Sequence, residues 1–131
     1  MTGDNLSHDF FNTGITEPPG FLYVDHIAIA VCTGELENHV KMYKQIGFKE
    51  LHREEIEGID QVREVLLKIG DSPNLIQLLE PLSTDSPVQK QIDRNNGRGG
   101  LAHVGFRVKN AQAAFDFLKA CLLYTSPSPR D

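Results

Sequence analysis

Patterned cysteines, long apolar runs and a basic excess are all missing from this sequence, and each absence narrows the field. The 131 residues hold two cysteines, Cys32 and Cys121. Two unpatterned cysteines do not make a disulfide framework, so a reducing cytoplasm is the expected location. Lys and Arg number 13 against 18 Asp and Glu, a net charge of −5, with the two signs interspersed. That balance argues against a nucleic-acid surface and against a polybasic membrane anchor. No apolar run approaches the roughly 18 residues that span a bilayer, so no membrane partner is expected. The start, "MTGDNLSHDFFNTGITEPPG", has no basic n-region, no apolar h-region and no Arg. Neither a secretory signal nor a transit peptide is visible in it.

What is present suits one domain with a real core. Residues 1–20 are polar, with Pro18-Pro19 near their end, and read as a flexible leader. "FLYVDHIAIAV" (21–31) is β-branched and aromatic, which predicts a strand. "GELENHVKMYKQIGF" places Leu36, Val40 and Tyr43 at helical spacing, with Gly47 as the stop. Strands are predicted over 49–55, 61–70 and 75–82, the last stopped by Pro81. A short helix follows over 84–96, with Asp85 or Ser86 as its cap. "NGRGG" is a turn, "LAHVGFRV" (101–108) a strand and "NAQAAFDFLKA" (110–120) a helix.

An internal repeat organises these elements. "DHIAIAV", a loop and an amphipathic helix match "AHVGFRV", a loop and an amphipathic helix. His26 and His103 fall at the same place in the two strands. The fold class is therefore α+β, built from paired βαβββ modules of which the second is incomplete.

Side chains alternate across a strand, so residues two apart share a face. His26 goes with Val24, Ala28 and Ala30, while Ile27, Ile29 and Val31 are the better face for packing under a helix. His103 goes with Leu101, Gly105 and Arg107. If the modules pair face to face, both imidazoles point into one cleft. Gln77 is an amide in the apolar run "LIQLLEP", and Glu64 stands between Val62 and Leu66 on its face. A buried amide needs a partner, and a buried carboxyl is a candidate acid/base. Two imidazoles plus an oxygen ligand suit a divalent ion such as Zn, Co, Ni or Mn. The plainer readings are a satisfied strand histidine, an edge glutamine and a solvent-facing glutamate. "HREE" (52–55) reads as a solvated strand end and Cys32 as a small core residue. "GRGG" (97–100) reads as a plain turn, since it lacks the Lys-Ser/Thr of a P-loop.

The segments "VDHIAIAV", "FKELHREE", "VREVLL", "IQLLEPLSTDSPVQKQI" and "NGRGGLAHVGFRV" resemble the methylmalonyl-CoA epimerase family of the vicinal oxygen chelate (glyoxalase-like) superfamily. They cover most of residues 22–120. The resemblance implies that His26, Gln77 and His103 are metal ligands for a divalent ion (Co, Mn, Zn or Ni). It implies that Glu64 is one of two catalytic acid/base carboxylates. The family's fourth ligand is a glutamate on a final strand, and no residue here matches it. The family often has His-His where this chain has Ala102-His103; the second is the ligand. The implied reaction is epimerisation of methylmalonyl-CoA at C2 through an enolate, with an acyl-CoA as the partner molecule and a homodimer as the full-length assembly. A glyoxalase I-like lyase is the rival enzyme, disfavoured by Gln77 where that branch carries Glu. A non-catalytic small-molecule-binding protein of the same fold is the rival of a different class.

The closing "CLLYTSPSPRD" (121–131) breaks the composition abruptly. Back-translated, it resembles the transposon end and flanking adapter of a sequencing library. The expected domain is thus 21–120, with 121–131 an adapter artefact, the natural sequence continuing after Ala120, and the chain as given inactive.

Overall fold

The computed structural model describes residues 19–125. The leader (1–20) falls outside them save for Pro19 and Gly20, and of the suspected artefact only 121–125 fall inside. The strands are β1 (Phe21–Ala30), β2 (Phe48–Ile56), β3 (Val62–Ile69), β4 (Leu75–Pro81) and β5 (Gly100–Val108). The helices are α1 (Leu36–Gln45), α2 (Pro87–Arg94) and α3 (Ala111–Thr125). The order β1-α1-β2-β3-β4, then α2, then β5-α3, is the expected full module followed by the start of a second. The strands form one sheet in the order β2-β3-β4-β1-β5. β2, β3 and β4 are an antiparallel meander, and β1 runs parallel to β4, as the α1 crossover requires.

Two compact units are distinguished, Val24–Gly105 and the segments that flank it. In the larger unit, the register aligns Ile29 with Leu78 and Leu78 with Val65, so these side chains share one face. Leu36 and Val40 of α1 close over that face, with Val31, Val65, Leu67 and Leu78 almost wholly buried beneath. Burial of each such side chain contributes about 1.5–3 kcal/mol. The expected helix-packing face of β1 is the one used. α1 ends at Gly47, whose φ of +109° and N–H to Lys44 O (3.1 Å) make the left-handed stop that a residue with Cβ resists.

The start of α1 is capped from outside the helix. Glu35 makes no side-chain cap. Instead Glu80 of β4, only 3% exposed, accepts hydrogen bonds from the backbone N–H groups of Gly34 (2.6 Å) and Leu36 (3.3 Å). Its other oxygen accepts from Arg63 Nη1 at 2.8 Å. The buried carboxylate is thus satisfied by two orphan helix-end donors and one guanidinium.

On the opposite face of the larger unit, Ala28, Val62 and Leu79 form a second, smaller cluster with Ile56, Val88 and Ala102. Helix α2 starts with Ser86 as N-cap, its hydroxyl oxygen accepting from Val88 N (3.2 Å), and Pro87 at the first position. The same hydroxyl donates to Asp60 O (3.0 Å), tying α2 to the loop before β3. Gln61 there takes the unusual φ of +46°, held by Leu82 N–H to its carbonyl (2.8 Å) and by the Ser83 hydroxyl.

In the flanking unit, Lys109 N donates to Gly20 O (2.9 Å), and Phe21 packs edge-on against Phe106 and Phe117. Asn110 caps α3 by accepting from Ala113 N at 2.9 Å. The helix continues to Thr125, beyond its expected end at Ala120.

Candidate functional site

The site grows out of strand register on the α2-side face. Ala28, Gln77 and Leu66 lie side by side on β1, β4 and β3. His26 is one same-face step from Ala28, and Glu64 is one same-face step from Leu66. His26 Nε2 and His103 Nε2 lie 3.1 Å apart, with the rings nearly perpendicular. Gln77 Nε2 donates to Glu64 Oε1 at 3.1 Å. Three of the four sequence-predicted residues, Glu64, Gln77 and His103, line one pocket of about 470 Å³, and His26 joins them through His103.

Two residues that sequence reasoning passed over complete the arrangement. Asp25 Oδ2 lies 3.0 Å from His26 Nδ1. A carboxylate accepting from Nδ1–H fixes the tautomer and leaves the Nε2 lone pair directed at His103. Gly105 leaves space for the His26 ring: a Cβ there would come within 2.2 Å of His26 Cε1. A side-chain bearing residue at 105 would therefore push the imidazole from its place. Cys32, expected in the core, is half-buried and points its thiol at Gly97 O, 3.4 Å away.

Electrostatics favour a neutral imidazole at His103. Burial, and secondarily the neighbouring His26, hold the His103 imidazole below its ordinary value. That shift favours the neutral imidazole, the form that ligates a metal. Two Nε2 atoms this close need a proton or a cation between them. The two Nε2 atoms are near enough for both to be offered to one divalent ion. The third candidate donor is Gln77 Oε1, a buried oxygen with no hydrogen-bond partner among the described residues. Such an orphan is costly unless something satisfies it. No three His, Cys, Asp or Glu side chains converge among the described residues; the candidate donors are two imidazoles and an amide oxygen. That set fits a divalent transition-metal ion.

Comparisons with known proteins bear on the fold. The Glyoxalase/Bleomycin resistance protein/Dioxygenase superfamily matches residues 25–124. The chain belongs to that superfamily. Within the glyoxalase superfamily it is similar to methylmalonyl-CoA epimerases of known structure. One from Mycobacterium tuberculosis is 26% identical with a TM-score of 0.67, covering 84% of this chain and 71% of that one. One from Streptomyces coelicolor, in complex with 2-nitronate-propionyl-CoA, is 30% identical with a TM-score of 0.66, covering 86% and 82%. Another methylmalonyl-CoA epimerase, in complex with methylmalonyl-CoA and NH4+, is 31% identical with a TM-score of 0.66, covering 86% and 80%. Comparison with curated protein sequences finds no match. No helix among the described residues is long and apolar enough to cross a membrane.

Proposed function

We propose that this protein epimerises methylmalonyl-CoA at C2, with His26, Gln77 and His103 holding a divalent metal ion and Glu64 acting as one acid/base. The observation that carries the reading is the orphaned Gln77 Oε1 on an amide whose other end donates to Glu64. On this reading one side chain offers its oxygen to the metal and its N–H to the base. The similarity to epimerases bound to acyl-CoA ligands supports the substrate class.

The α-proton of a malonyl thioester lies between two carbonyl groups and is unusually acidic for carbon. A divalent ion in this site supplies positive charge opposite the oxygens on which negative charge develops. Gln77 holds one oxygen of Glu64 and leaves the other for the proton. Glu64 takes that proton as the C2–H bond breaks, and its electron pair passes into the enolate. Inversion then needs a proton delivered to the opposite face. By family resemblance its source is a glutamate on a strand with no counterpart in residues 1–131, and a homodimer belongs to the same proposal. Asp25 keeps His26 in one tautomer throughout.

The test is solvent deuterium incorporation at C2 of methylmalonyl-CoA by the full-length, metal-loaded protein. Incorporation is expected; its absence, with CoA thioester demonstrably bound, would leave a binding protein of the same fold in place of the epimerase.

A further inference from the structure

Helix α2 ends in Arg94, and the chain then turns through Asn95 to Gly100. The turn is rigidly built. Asn96 and Gly97 take left-handed φ values of +61° and +80°, and Gly97 N donates back to Ile92 O (2.9 Å). Asn95 Nδ2 donates to both Arg98 O and Gly99 O, each at 3.1 Å. Gly99 lies so close to β1 that a Cβ there would stand 2.3 Å from Ala30 O. A turn pinned at this many points serves as a wall, and the wall carries Arg98.

Against it opens a second cavity of about 420 Å³, with Arg94 and Arg98 among its lining residues and no acid. It shares Gln91 and Arg94 with the pocket of Glu64, Gln77 and His103, so the two continue one another. Elsewhere in the larger unit, Arg53 and Arg63 are each neutralised by two carboxylates. Arg94 and Arg98 have no hydrogen-bonding or ion-pair partner for their guanidinium groups among the described residues. Asp93, the acid next to Arg94, is engaged by Gln89 Nε2 at 2.8 Å. Two unneutralised guanidiniums on one concave wall, in a chain of net charge −5, select a multiply charged anion.

We propose that Arg94 and Arg98 hold the phosphates of the substrate's carrier, the anionic nucleotide end of a CoA thioester whose acyl end reaches Glu64. This rests on the acyl-CoA reading of the neighbouring pocket and adds the residues that bind the carrier. Their forked N–H donors match phosphate oxygens, and their affinity falls as salt screens them.

The test is made with the full-length protein and its Arg94→Gln/Arg98→Gln double variant. Binding of free CoA is measured by calorimetry at two salt concentrations. Turnover of methylmalonyl-CoA is compared with that of methylmalonyl-pantetheine, which has no phosphate. The expected result is about tenfold weaker CoA binding in the double variant, with most of the salt dependence gone. The preference of kcat/KM for the CoA over the pantetheine thioester is expected to collapse by a similar factor, through KM. Lysine at both positions recovers part of the binding. Wild-type CoA affinity in the double variant would overturn the assignment while leaving the acyl-CoA reading intact. Equal losses for both thioesters would also overturn it, as damage to the cleft in general. A wild-type protein that binds no CoA would overturn both.

Discussion

Gln77 and Gly105 show how much of this site depends on single residues whose value is positional. Gln77 donates from one end of its amide to Glu64 and keeps a buried, unpartnered oxygen at the other, which the proposal gives to the metal. Gly105 contributes only the room that the His26 ring occupies. Gly105→Ala should displace that ring without unfolding the sheet, because Gly105 does not take a left-handed φ. The expected outcome is a melting temperature near wild type without metal, and a smaller rise on adding divalent ions, read by thermal denaturation. An unchanged rise would mean that His26 does not ligate. His26, Gln77, His103 and Glu64 were legible in the sequence because alternation along a strand sorts side chains by face, and because an amide or carboxylate in an apolar run is conspicuous. Asp25 and Gly105 were not. Alternation assigns Asp25 to the wrong face, though its carboxylate reaches round to Nδ1. A glycine in a strand carries no signal until the neighbour filling its space is known.

Among the elements, α1 depends on two contacts that join it to the sheet. The buried one is Glu80, which serves the helix N-terminus and Arg63 together. Glu80→Ala leaves two backbone donors unserved and should cost about 3 kcal/mol, measured as a lower urea midpoint at constant slope. The exposed one joins Arg53 of β2 to Glu50 and to Glu37 of α1. Hydrogen bonds from Arg53 hold both carboxyls below the usual glutamate value. Groups with depressed folded values stabilise fully above the ordinary value and lose that contribution as pH falls through the folded ones. Wild-type stability should therefore drop on acidification below about pH 4.5, and Arg53→Met should flatten that part of the profile. Added salt should weaken the effect, since the pairs are exposed. Strand and helix positions were read from the sequence to within a few residues, because periodicity and Gly, Pro and Ser punctuation agreed at nearly every boundary. "HREE" is exposed, as expected of a solvated strand end. Its Arg53 nevertheless ties α1 to β2, a partnership with a helix 16 residues earlier that no local pattern announces.

At the scale of the molecule, the repeat carried the reading. Two strands with histidine at the same step predicted paired modules; the two strands lie side by side in one sheet, not face to face, and their histidines are 3.1 Å apart. No short motif marks this site; its donors are spread over 78 positions, from His26 to His103, and only the fold assembles them. The turn bearing Arg98 was read as plain; the close approach of its Gly99 to Ala30 O of β1 leaves no mark in the sequence. The central claim is that this assembled site moves a proton at C2 through Glu64. The most direct measurement is the rate of deuterium incorporation at C2 of methylmalonyl-CoA by the full-length protein and by Glu64→Gln, with metal content determined for both. The account predicts equal metal content and a rate lower by about 10²–10⁴ in the variant. Exchange by Glu64→Gln at the wild-type rate would contradict it.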